Sequence, residues 1–172
     1  MGDCRMNFKE YVPLAMRTNK PKETKVENLL NACLGLAGEY AEFCGAVNKE
    51  RVKDELSDLF WYTALLHHTI ETTLQSNRTE ELLISHIGLI CDTVKKHAFQ
   101  GHHLSVIQLT VYAEKLLYSL YVLCEKYEFT PSEIMEFNIA KLRKRYPEGF
   151  EVEKSVNRLE YQQLSFEDIK EV

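Results

Sequence analysis

The sequence predicts an all-α protein: a four-helix bundle of two helical hairpins, with additional N-terminal and C-terminal helices. Three observations predict it. Apolar residues recur at intervals of three and four over long stretches, strand-like alternation is missing, and 7 glycines and 4 prolines are too few to interrupt 172 residues often.

Each element has its own signal. Thr24-Lys25-Val26-Glu27 reads as a capping box, so a long helix starts at 25 and runs through Val26, Leu29, Cys33, Leu36, Tyr40, Phe43 and Val47. Asn48 to Arg51 is a polar break. Val52, Leu56, Leu59, Phe60, Thr63 and Leu66 then carry a second helix to about residue 74. Thr79 is the expected cap of a third, through Leu82, Leu83, Ile87, Ile90 and Val94, which stops near Phe99-Gln100-Gly101. A fourth spans about 104 to 127 through Val106, Leu109, Val111, Leu116, Leu120 and Leu123. Thr130-Pro131-Ser132-Glu133 joins an N-cap, a proline at the first helical position and a glutamate at the third, which opens a closing helix over 131 to 146. Near the N-terminus FKEYVPLAMRT reads as helical, with Pro13 expected to kink the helix or delay its start.

Residues 1 to 150 are expected to form a single domain: an active hairpin over 25 to 75, a degenerate repeat over 79 to 127, and the closing helix. Residues 151 to 172 form a polar, acidic tail. The repeat rests on a weak alignment of Gly35–Glu42 with Gly88–Lys95 and of Glu55–Tyr62 with Glu114–Tyr121. Neither hairpin can bury its apolar face alone, so the two are expected to pack together. In the second copy Lys95 stands opposite Glu42 and Leu117 opposite Asp58, so its acidic set is mostly lost.

Composition narrows the function. A net charge of -5 and a pI near 5.7 leave no basic footprint for a polynucleotide. The N-terminus lacks a signal-peptide core, and no stretch of some eighteen uncharged apolar residues is evident, so the expectation is a soluble, cytoplasmic chain without membrane contact. The five cysteines form no C-x-x-C pair and read as reduced core thiols. No E-x-x-H motif supports a di-iron site, and no glycine-rich phosphate loop occurs.

Four acids stand out. At about 100° per residue, Glu55 and Asp58 share a stripe with Leu59, Tyr62 and Leu66, on the core side of their helix. Glu39 and Glu42 border Leu36 and Phe43, beside the small residues Ala32, Gly35 and Ala46. Like charges three apart repel, and desolvation sharpens the repulsion. Arg51, four before Glu55, can compensate one acid, but no lysine or arginine lies at three or four from Glu39, Glu42 or Asp58. A single E-x-x-E is common as a solvated acidic edge. Two pairs on consecutive antiparallel helices instead suggest convergence on one hard divalent cation, and oxygen donors alone favour Mg2+, or Mn2+, over zinc.

The motifs GLAGEYAEF and KDELSDLFWYTALL, followed by EFNIAKLRKRYPEGF at 136 to 150, resemble the MazG-like all-α nucleoside triphosphate pyrophosphohydrolases, in the superfamily that includes the dimeric dUTPases. The resemblance covers about residues 26 to 150. It departs at Gly38, where the doubled E-E-x-x-E of the family has its first acid. What it implies is Mg2+-dependent hydrolysis of a nucleoside triphosphate to the monophosphate and pyrophosphate, with Glu39, Glu42, Glu55 and Asp58 as catalytic metal ligands. A narrower pyrimidine-specific dUTPase or dCTPase and a helical interaction module without catalysis are the competing expectations. Asn138, Lys141 and Arg145, at three and four on the closing helix, are expected on the triphosphate, although basic residues in a last turn also serve the helix dipole. Trp61 and Tyr62 are candidates to stack on the base and equally fit core packing. A homodimer is expected, using spare apolar surface near Tyr112, Tyr118 and Tyr121.

Overall fold

The structure is a computed structural model, described here for residues 5–20 and 22–151; Cys4 and the tail from 152 onward lie outside that range. Six helices and no strand occur among the described residues: α1 (Phe8–Met16), α2 (Lys25–Gly45), α3 (Lys49–Ile70), α4 (Leu83–Gln100), α5 (Val106–Lys126) and α6 (Pro131–Arg145).

Most helix starts follow the capping signals. The box at Thr24 and Glu27 closes in both directions at 3.2 and 2.9 Å, and the box at Thr130 and Glu133 does the same ahead of Pro131. Asn48 caps α3 through its side chain, which accepts from the Arg51 N–H at 2.9 Å. The N-terminal helix departs from expectation. Asn7 and Glu10 form a third box that starts α1 at Phe8, and Pro13 lies inside the helix without delaying it. At Thr79 the expected cap fails because its hydroxyl accepts from Glu81 N–H, two residues on, which makes a turn. Helix α4 therefore begins at Leu83 with no side-chain cap. Helix α3 ends at Ile70, short of 74, where Glu71 turns left-handed at φ 55°. Helix α2 ends at Gly45, so Val47 is 90% exposed instead of facing the core.

The bundle is a square in which α2 packs on α3 and α4, and α5 packs on the same two helices; α1 and α6 lie across the outer side of α3. Helix α3 therefore touches four others and buries more than half its residues. Ser57, Thr63 and Thr69 enter this interior because each hydroxyl donates back to a carbonyl of its own helix, those of Asp54, Leu59 and Leu65. One apolar core draws on all six helices.

Burial sets a different register for the two hairpins. Leu29, Ala32, Cys33 and Leu36 are inside on α2, and Leu83, His86, Ile87 and Ile90 on α4, which is one residue away from the sequence alignment. In the expected register Leu36, fully buried, would match Leu89, 38% exposed. Among the described residues, α5 alone is long and apolar enough to cross a membrane by length and hydropathy, although Glu114 and Lys115 interrupt it, so it holds no run of eighteen uncharged residues. Its Leu109, Leu116 and Leu120 lie in the shared core, and Lys115 at its middle pairs with Glu81 at 2.9 Å. Tyr121, expected at a dimer surface, stacks instead on Phe60 with ring centroids 6.1 Å apart.

Candidate functional site

Helices α2 and α3 leave a tight turn side by side and antiparallel, so acids near the turn meet. Carboxylate oxygens of Glu39, Glu42 and Glu55 all lie within 4.8 Å of one another. One cation with metal–oxygen bonds of about 2.1–2.4 Å can reach oxygens up to about 4.2–4.8 Å apart. The three are close enough that one ion could reach all of them.

Glu55 is the inner member, its side chain only 3% exposed. Arg51 stands 2.8 Å from Glu55 Oε1 and 3.6 Å from Glu42 Oε2, so the cation expected to serve one acid spans two. The contact to Oε1 is an ion pair without hydrogen-bond alignment, and that buried oxygen has no hydrogen-bond partner. Such an atom is costly to keep unless a further group engages it. Glu39 is pushed up to about 8, by burial first and then by the charges of Asp58, Glu42 and Glu55, with Lys141 opposing. Glu55 is also raised, by burial against the pull of Arg51. Near neutral pH Glu39 therefore holds a proton.

Asp58 lies one turn beyond Glu55 and faces α6. Lys141 donates to both its oxygens at 2.8 Å and to Asp54 Oδ1 at 2.6 Å, with the lysine side chain 8% exposed. Burial raises the Asp58 pKa, while the charge of Lys141 and its hydrogen bond, and Arg145 more weakly, hold it down. The cation missing within one turn of Asp58 thus arrives from another helix. Asp54 escaped sequence reading, although its place four before Asp58 was a visible like-charge pair.

Three expected substrate contacts are otherwise engaged. Asn138 is fully buried: its carbonyl accepts from Tyr11 Oη at 2.7 Å, and its amide donates to Ser57 and Asp58 at 3.3 Å. It orients Asp58 and has no face toward a triphosphate. Trp61 donates its indole N–H to Ala15 O at 3.2 Å and to Thr18 Oγ1 at 3.1 Å, which ties α1 to α3. Tyr62 lies on the acid stripe, but its ring fills the space beside Gly35, where an added Cβ would sit 2.1 Å from Cε1. Gly35 therefore makes room for this ring, while Ala32 is core. Glu39, Glu42 and Glu55 come together, with Asp58, Lys141 and Arg145 adjoining them.

The chain was compared with protein-family models, curated proteins and solved structures, and none matches.

Proposed function

We propose that the protein is a Mg2+-dependent nucleoside triphosphate pyrophosphohydrolase of the MazG-like kind, releasing a monophosphate and pyrophosphate. The observation that carries this reading is the convergence of Glu39, Glu42 and the buried Glu55, whose carboxylate oxygens lie within 4.8 Å of one another. The donor set fits a hard divalent ion, with three carboxylates and neither histidine nor thiolate. These three residues would hold the ion, with Asp58 next to them. Bound there, it supplies Lewis-acid charge to phosphate oxygens and acidifies the attacking water.

The chain's own groups do the rest. Lys141, parked between Asp54 and Asp58, is a point charge within reach of an incoming phosphate, and Arg145 is a forked donor one turn further along. Asn138 keeps Asp58 in a fixed orientation through the Tyr11 hydrogen bond. Tyr62, packed on Gly35, forms a wall on the acid stripe of α3.

The test is pyrophosphate release from a panel of nucleoside triphosphates, with and without Mg2+. Release should require the metal and fall at least about 100-fold in Glu55→Gln while helical circular dichroism is unchanged. A wild-type chain that releases none from any triphosphate defeats the proposal.

A further inference from the structure

Cys33 on α2 and Cys91 on α4 were expected to be reduced core thiols, and the fold sets them against each other. Their side chains share a hydrogen bond, and Cys91 Sγ lies 3.8 Å from the Cys33 carbonyl oxygen. Cys33 is buried and Cys91 half-buried, with open space around Gly88 one turn before it. Helices packed about 8–10 Å apart, each with Cα atoms on a cylinder of radius about 2.3 Å, bring facing Cα atoms to about 3.4–5.4 Å. That range overlaps the span a disulfide requires. The other described cysteines are placed differently: Cys124 is buried on α5, and Cys44 is exposed and bonded to Tyr40.

We propose that Cys33 and Cys91 are a reversible redox pair that closes into a disulfide between α2 and α4 on exposure to a peroxide. The roles differ. The contact with Cys33 pulls the Cys91 thiol down to about 7, against the effect of burial, and Cys91 is the more exposed of the two. The same hydrogen bond, then burial, pushes Cys33 up, which keeps its proton in place as the donor. Cys91 is the nucleophile and Cys33 the resolving thiol.

The steps balance. The Cys91 thiolate attacks one oxygen of hydrogen peroxide, the O–O bond breaks, and the released hydroxide takes a proton to leave as water. Cys91 is then a sulfenic acid. Cys33 gives up its proton as its sulfur attacks the Cys91 sulfur, the S–O bond breaks, and a second water leaves. Two thiols are oxidised to one disulfide and one peroxide is reduced to two waters. A small dithiol reverses it by exchange.

The experiment treats the full-length reduced protein with a few equivalents of hydrogen peroxide, blocks remaining thiols with N-ethylmaleimide, and maps proteolytic peptides by mass spectrometry. The expected result is a linked peptide pair containing Cys33 and Cys91, loss of two titratable thiols per chain, and a melting temperature raised by about 5–10 °C, all reversed by dithiothreitol. Cys91→Ser should abolish link and shift alike, Cys44→Ser should leave both, and Cys33→Ala should leave Cys91 trapped by dimedone as the sulfenic acid. The proposal is overturned if Cys91 advances to sulfinic or sulfonic acid while Cys33 stays alkylatable after unfolding. It is equally overturned if only Cys44 links between chains.

Discussion

Lys141 Nζ stands 2.8 Å from both carboxylate oxygens of Asp58, a residue 83 positions earlier in the chain. With Asp54 on its other side, this lysine serves two acids of α3 from a different helix. Lys141→Met removes the charge and keeps the stem. Because the lysine is nearly enclosed and the aspartates are about a quarter exposed, the loss should be about 2–3 kcal/mol, at the low end for a broken buried pair. Urea unfolding in the absence of metal measures it, and Mn2+ should recover part of the loss.

Stability of the metal-free chain should fall as pH rises through the neutral range. Glu39 titrates at about 8 in the fold against an ordinary 4.5, so the native state holds that proton more tightly. The contribution is complete below 4.5 and is lost as pH climbs to about 8. The raised Glu55 and Asp58 act in the same sense, while His67 and His86, lowered by burial, act oppositely and lose their contribution as pH falls. Comparing wild type with Glu39→Gln cancels the shared groups. Thermal melts from pH 5 to 8 should decline more steeply for wild type, and saturating Mn2+ should remove the difference.

Gly35→Ala should be costly for a steric reason. The new methyl would lie 2.1 Å from the Tyr62 ring, which must move out of its seat on α2. An overpacking penalty of about 1–3 kcal/mol is expected. If the clash is with this ring alone, Gly35→Ala in a Tyr62→Ala background should cost little, a coupling that a double-mutant cycle reads directly.

Trp61→Phe separates packing from substrate contact. The indole N–H is spent on Ala15 O and Thr18 Oγ1, so its loss should cost about 1–2 kcal/mol and speed amide exchange in α1. The KM for any triphosphate that is turned over should not change. A KM raised tenfold with α1 exchange unaltered would return Trp61 to the substrate.

The helices were legible because local signals coincide with periodic apolar faces, Thr24 with Glu27 and Thr130 with Pro131 and Glu133, whereas Asn48 to Arg51, expected as a polar break, caps and opens α3. Thr79 misled because a Ser or Thr hydroxyl stabilises a two-residue turn by the same chemistry that caps a helix. At the site, the grouping of Glu39, Glu42 and Glu55 follows from helix angle and a short turn, both readable along one hairpin. The partners of Lys141, Asn138 and Cys91 were not, because α6 and α4 reach them across sequence separations of 83, 80 and 58 residues. A cation sought only one turn away is missed when tertiary packing supplies it. The repeat register slipped by one residue because Gly35 and Gly88 look equivalent as letters but not as neighbours: the first lies under Tyr62, and the second meets nothing within 4 Å.

The origin of Lys141 on the last helix has a bearing on synthesis. Translation delivers Asp54 and Asp58 more than eighty codons before the residue that neutralises them. A nascent α2–α3 hairpin leaving the ribosome therefore carries those acids without their lysine, and its collapse is opposed by their mutual repulsion until α6 emerges or an ion from the medium substitutes for it.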